Sequence, residues 1–483
     1  MTSNILYAAD DGCGITGLPS RTCVLGTDTF SCGGRRAGVR CCSDTTCVSH
    51  CNGSDYCSDL RRTLADALRL CAADGMRLCS RGELRSRCCR QGCGLDSWPT
   101  WMTLDAPPPS PPPLDVFQPG QLWLDTEGHQ IRAHSAGLLY ANGELYLYGA
   151  DSYRAPSVGS RRCHNPVINV YSSVDLYNWR YRGVALDLLG TYVDRPKPVR
   201  TPDGRFALWF KSTPNIGVAI ADHPAGPFEL ISLNQPTNEP VGDITAFVDP
   251  LNGGGWLVYS RKGGSAGPRV LRFCPMSPSL TALSGSFSYT IWEALEAPAL
   301  MYNAADRRYY LFGSHATGFR PNPARLFSAS AIGGPWRSEY VNPTGSATSH
   351  DTQVTYILPV PTVEGSAFVY VGDRFHHEDM GTNPESGRLV WLPVLGTRTG
   401  AGVSVPWRGT WTLDELGTPL LPLAGAPPSP PSQPPLPPPT SPVPPPPRLA
   451  CEVWASENTG ADAPEGFCDI CEECSAYCPR CGS

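Results

Sequence analysis

An all-β protein, built as a five-bladed β-propeller flanked by two small disulfide-rich modules, is the architecture this 483-residue sequence predicts. Three observations lead there. A hairpin unit recurs five times in the middle of the chain, cysteines crowd both ends, and proline tracts mark the junctions.

The repeat is read from five apolar, aromatic-rich strands: GELYLYGAD (143–151), GRFALWFKS (204–212), GWLVYSRK (255–262), RRYYLFGSH (307–315) and GSAFVYVGD (365–373). Their starts lie 61, 51, 52 and 58 residues apart. Each follows a shorter strand and a turn: Asn142-Gly143, Asp203-Gly204, Asn252-Gly253, the AAD at 304–306 and the loop at Glu364-Gly365. Asn and Gly adopt the positive φ that tight hairpins require. Hairpin units of this length, with almost no helical periodicity, are the signature of propeller blades; a β-sandwich is the alternative.

The 21 cysteines divide unevenly, with 13 between Cys13 and Cys93, six between Cys451 and Cys481, and only Cys163 and Cys274 between the clusters. Such density in short segments implies disulfide frameworks and an oxidising compartment, hence an extracellular or cell-wall location. MTSNILYAAD shows no basic and apolar signal segment, while the sequon Asn52-Gly53-Ser54 fits secretion. APPPSPPP (106–113) and APPSPPSQPPLPPPTSPVPPPP (426–447) read as stiff polyproline spacers. The expected organisation is a cysteine-rich module at 1–104, a linker at 105–114, the propeller at 115–420, a second linker at 421–448 and a cysteine-rich module at 449–483. Net charge is −6, the basic residues are scattered, and lysine occurs only at 197, 211 and 262, so no nucleic-acid surface is indicated. No stretch reaches the roughly eighteen apolar residues of a membrane span.

Two clusters imitate metal sites. Cys468, Cys471, Cys474 and Cys478-Pro479 have the spacing of an iron–sulfur run, and with Cys481 could ligate zinc. The oxidising compartment and the completing Cys451 favour three disulfides. His376-His377-Glu378-Asp379 reads as a polar loop, since adjacent strand histidines point to opposite faces. No metal ligand set or cofactor is assigned, beyond room for a structural cation within the propeller.

One polar residue precedes each of the five strands by 9 to 12 positions: His134, Asp194, Asp243, Glu296 and Gln353. Inner strands of a propeller line its axis, so these five converge on one shallow cavity, with Glu296 a candidate proton donor. His134 reads either as a hydrogen-bonded core histidine or as a sugar contact, and Asp351 as a second candidate base. Trp209, Trp256 and Trp391 read as core.

Further motifs now become legible. YSSVDLYNW (171–179), AHSAG (133–137), DRPKPV, GDITAFVD, EAPALMY, HATGFRPNPAR (315–325), GGPW (333–336), TQVTYILPV (352–360), and VGDRF with VWLPV (390–394) occur in order. Over about 130–395 the chain resembles glycoside hydrolase family 43, in its exo-β-1,3-galactanase branch. The resemblance implies that Glu296 is the general acid and that Asp243 raises and orients it. Asp194 would bind sugar where the family usually has Glu. Thr317 and Asn322 would lie in a galactose-binding loop, and Phe319 would offer an apolar platform where Trp is common. Blade one lacks the family's usual Asp base, and Gln353 would hold the water of an inverting reaction. The implied partner is a polysaccharide or oligosaccharide with β-1,3-linked galactose, including chains on cell-wall glycoproteins. Two competing functions stand beside this: a non-catalytic galactan-binding lectin, and another family 43 specificity such as arabinofuranosidase.

Overall fold

The computed structural model describes residues 111–416 apart from 152–156, 159–160, 163–166, 189–190, 236–238, 264–266, 318–319, 364, 375–387 and 398–401, together with parts of 6–104. Five antiparallel sheets follow one another along the chain, and in each the strands pair in chain order. Blade I holds His134–Ala141, Glu144–Ala150, Ile168–Ser173 and Arg180–Leu186. Blade II holds Asp194–Arg200, Phe206–Ser212, Asn215–Ala221 and Glu229–Asn234. Blade III holds Val241–Val248, Gly255–Arg261, Val270–Pro275 and Tyr289–Ile291. Blade IV holds Leu295–Asn303, Arg308–His315, Arg325–Ala329 and Arg337–Ser338. Blade V has three strands, Gln353–Thr362, Gly365–Arg374 and Arg388–Val394, and Leu395 and Ser404 exchange backbone hydrogen bonds of 2.8 and 3.0 Å beyond them. The first strands pack against one another in order, and that of blade V meets that of blade I. This closes a five-bladed ring.

The hairpins turn as the sequence predicts. Ala141 pairs with Glu144 across Asn142 (φ 53°) and Gly143 (φ 81°), the doubly left-handed turn that suits strand twist. Strands alternate between apolar faces packed on neighbouring blades, so each blade interface is a separate cluster; Tyr148, Phe206, Leu208 and Phe210, for example, fill the space between blades I and II.

Ring closure rests on aromatic packing. Phe117 and Trp411, from the segments before blade I and after blade V, exchange backbone hydrogen bonds of 2.8 and 3.2 Å and stack with ring centres 4.4 Å apart. Trp123 wedges between Trp179 of blade I (5.8 Å) and Trp391 of blade V (5.4 Å). These rings join the apolar cluster that continues through Leu138 and Leu147 to Leu358 and Val369. Leu114, expected as the last linker residue, is held by reciprocal backbone contacts to the Asn178 amide, both 2.8 Å.

In the N-terminal module, Leu6–Asp11, Thr22–Val24, Gly38–Cys42, Cys47–His50, Arg77–Leu78 and Pro99–Leu104 form one mixed sheet, accompanied by the helix Leu64–Ala73. Disulfides Cys41–Cys71, Cys42–Cys79 and Cys47–Cys88 bear out the expected framework here. Among the described residues Cys274 alone is a free thiol, and it is buried. Asn52, Cys163, Phe319, His376 to Asp379 and the C-terminal cysteines lie outside the described residues. No described helix is long and apolar enough to cross a membrane.

Candidate active site

Every inner strand begins with a β-bulge. Pairing slips between His134 and Gly137, Asp194 and Lys197, Val241 and Ile244, Glu296 and Ala299, and Val354 and Tyr356. A bulge bends the strand and re-aims a side chain. In three blades the residue after the polar one is left-handed without being glycine: Ser135 (φ 55°), Arg195 (φ 48°) and Ala297 (φ 53°). Each such residue costs about 1–3 kcal/mol, and such strain concentrates at functional sites. Asp243 departs from the expected equivalence: it lies inside its bulge, two positions beyond Val241, which holds the pre-bulge position that Glu296 and Asp194 hold in their strands.

The displaced Asp243 becomes a cross-blade anchor. One oxygen meets Arg195 Nε and Lys211 Nζ, each at 2.9 Å; the other accepts the Ala297 backbone N–H at 3.1 Å. Through that last bond blade III fixes the strained backbone directly after Glu296. Burial alone would raise the Asp243 pKa, but the charges of Arg195 and Lys211 outweigh it and hold the carboxyl well below its usual range. Glu296 shifts the other way. Burial, then the Asp243 charge, push it above the ordinary carboxylate value against Arg195, Arg269 and a hydrogen bond from Gln353. Arg269 Nη1 stands 3.4 Å from Glu296 Oε2. Two neighbouring carboxyls are thus driven apart, one ionised and one inclined to keep its proton.

Gln353 donates through Nε2 to Glu296 Oε1 (3.0 Å) and Ser314 Oγ (3.1 Å), while its Oε1 accepts from Arg195 at 2.5 Å. Asp194 accepts from the Arg195 backbone (2.8 Å) and Tyr192 Oη (3.0 Å) and faces Lys211 at 3.4 Å. Burial opposes its charge, yet Lys211 and Arg195 lower its pKa on balance. His134 Nδ1 faces Asp373 Oδ1 at 3.4 Å, a nearly closed environment on both sides. Beneath the ring, fully buried Lys197 donates to the carbonyls of Ser135 (3.0 Å) and Ala136 (2.5 Å), tying blade II to blade I. Thr317 and Asn322 meet on the blade IV loop: Asn322 Nδ2 donates to Thr317 Oγ1 (2.8 Å) and to the His315 carbonyl (3.0 Å), and its Oδ1 accepts the His315 N–H. Asn322 therefore holds the loop shape, while Thr317 is exposed. Asp351 is exposed and left-handed at φ 59°, and its charge acts on Arg374. Trp209 and Trp391 are buried in the core as expected, and Trp256 is half-buried against it. Among the described residues, the groupings able to hold a metal ion lie in the N-terminal module, and all their cysteines are in disulfides.

Residues 132–356, the span that supplies all five ring positions, match the profile of the glycosyl hydrolases family 43. The propeller is a family 43 glycoside hydrolase domain. Among solved structures, this domain is similar to a variant of the exo-β-1,3-galactanase from Phanerochaete chrysosporium with β-1,3-galactotriose. Identity is 26% over 63% of this chain and 70% of that one, with TM-score 0.54. The same enzyme with galactose gives 26% identity, 62% and 68% coverage, and TM-score 0.53. An exo-β-1,3-galactanase from Clostridium thermocellum shares the fold at 24% identity, 62% and 66% coverage, and TM-score 0.53. No curated protein matches.

The family 43 site contains groups that the ring of five did not include: Arg195, Lys211, Arg269, Ser314 and Asp373. A signal for one of the cations was present. Only three lysines occur in the chain, and Lys211 falls in the largely apolar strand FALWFKS of blade II. Asp373 and Arg269 had none, because their proximity to His134 and Glu296 depends on contacts between blades.

Proposed function

We propose that this domain is a secreted, exo-acting glycosidase that releases galactose from β-1,3-galactan chains with inversion. The observation that carries hydrolysis is the opposed pair Asp243 and Glu296. A carboxyl pushed above its ordinary pKa, oriented by a neighbour that stays charged, has the properties of a general acid. Glu296 protonates the glycosidic oxygen as the bond breaks, and Asp243 positions it through the Ala297 backbone and its own charge. Asp194 and His134 present polar groups to the sugar, and Thr317, held by Asn322, stands exposed on the blade IV loop. Gln353 fixes the acid from blade V. Support for galactose comes from the likeness to the two Phanerochaete structures, and support for action outside the cell from the three disulfides.

The lectin reading has one observation in its favour: blade I offers His134, not a carboxylate, at the ring. One experiment separates these readings. Incubation with β-1,3-galactan is expected to release galactose, arabinoxylan should yield no arabinose, and Glu296→Gln should abolish release. Binding of galactan without any release would establish the lectin instead.

A further inference from the structure

Among the described residues, the large apolar side chains open to solvent include four aromatic ones: Phe287, Trp292, Tyr340 and Trp407. A single exposed ring on a surface needs no explanation. Trp292 is different, because it is held in place and stands on the path to the acid. The outer strand of blade III ends at Ile291, and the inner strand of blade IV begins at Leu295, one residue before Glu296. Residues 292–294 therefore cross from the rim of the propeller to its axis at the end where the acid stands. Four residues of chain keep the Trp292 backbone within about 14 Å of that of Glu296.

The ring has a rigid support. Arg272 lies opposite Thr290 in blade III, two positions before Trp292. Its Nε and Nη2 donate to the two Glu239 oxygens at 3.0 and 2.6 Å, and its Nη1 donates to Thr290 Oγ1 at 2.7 Å. Those bonds occupy the edges of the guanidinium and fix its plane, which leaves its faces for aromatic rings. The ring centre of Phe287 lies 3.8 Å from the guanidinium carbon and that of Trp292 5.9 Å. Both are within reach of a cation–π contact. The chain beyond Trp292 is tied as well: Glu293 accepts from Arg325 Nε at 2.8 Å, and the Leu295 N–H bonds to the Glu293 carbonyl at 2.8 Å. Trp292 thus combines a fixed base with a side chain that is 74% exposed.

We propose that Trp292, backed by Arg272, is a stacking platform for the sugar units of the galactan chain that lie beyond the bond being cut. The inference rests on the glycosidase reading above and extends it from a single bond to the length of chain the enzyme grips. Glu296 gives its proton to the departing oxygen, so the remainder of the chain starts at the acid, and residues 292–294 lead outward from there. Galactose carries several C–H groups on one face of its ring. That apolar patch lies flat on an indole while the hydroxyls stay in water. A contact this far from the reacting carbon is made equally in the ground state and the transition state, so it strengthens binding without speeding cleavage. Longer chains are therefore favoured over the disaccharide through KM and not through kcat.

The test compares a β-1,3-linked galactose disaccharide with the corresponding tetrasaccharide, using the full chain. Trp292→Ala should raise KM for the tetrasaccharide about tenfold, the order expected when an aromatic anchor is truncated. Its kcat, its melting temperature and its hydrolysis of the disaccharide should stay at wild-type levels. Trp292→Tyr keeps a ring and should recover most of the lost affinity. Tyr340→Ala removes another open ring, just beyond the outer strand of blade IV, and should alter neither substrate. An unchanged KM for the tetrasaccharide in Trp292→Ala, equal losses on both substrates, or an equal loss in Tyr340→Ala would each overturn the proposal. Calorimetry with the tetrasaccharide separates this inference from the reading it rests on. Should the wild type release no galactose, the glycosidase reading falls. Weaker tetrasaccharide binding by Trp292→Ala than by the wild type would still support the platform, and equal binding would overturn it.

Discussion

The N-terminal module and the propeller are both dominated by β-structure, yet different forces hold them. Among the described residues, the main apolar cluster of the module has seven buried members and the cluster closing the propeller ring 21. In the module a crosslink is built into the apolar cluster, since Cys41 and Cys71 are themselves part of it. The propeller buries an apolar cluster at every blade interface. It carries left-handed non-glycine residues at three of its inner-strand bulges and a buried set of charges at its axis. Chemistry that needs strain and desolvated charge belongs on the larger core.

The largest effect expected on the propeller side is chemical. Glu296→Gln should lose about 10²–10⁴-fold in galactan hydrolysis, but little on an aryl galactoside whose acidic phenol leaves without protonation. Equal losses on both substrates would reduce Glu296 to a binding or folding role. Next comes the structural contrast. Trp391→Ala opens the aromatic closure between blades V and I and should cost about 3–5 kcal/mol, read as a lowered melting transition of the propeller. Reduction with a strong thiol should destabilise the N-terminal module by about 2–5 kcal/mol, leaving propeller melting and activity in place. A propeller that melts on reduction would erase the distinction between the two regions.

A subtler prediction sharpens the electrostatic half. Glu296 acts while protonated, so activity falls as pH rises through its pKa. Asp243→Asn removes a negative charge that raises that pKa and leaves Arg195 and Lys211 uncompensated beside it. The alkaline limb should then move down by about one pH unit or more; an upward shift would mean that Asp243 is not what keeps Glu296 protonated. The smallest expected effect is on truncation. A fragment spanning 111–420 retains Leu114, Phe117 and Trp411 and should cleave soluble oligosaccharides at nearly the full-chain rate, while binding intact walls less well. A folded but inactive fragment would show that the terminal modules take part in the chemistry.

The sequence by itself determined the blade count and the ring of candidates. Hairpin turns such as Asn142-Gly143 and the alternation of apolar residues are local, because each strand reports its own buried face. Motif order was also enough to point to the family and to Glu296. Tertiary structure alone decided how these groups act on one another. Asp243 occupies a different bulge position from its counterparts, and it reaches across blades to the backbone beside the acid. Gln353 of blade V donates to Glu296 of blade IV, and Asp373 faces His134 although 239 positions separate them in the chain. Ionisation at this site is set by distance and burial, and both arise only when the ring closes and brings charges from four blades around one axis.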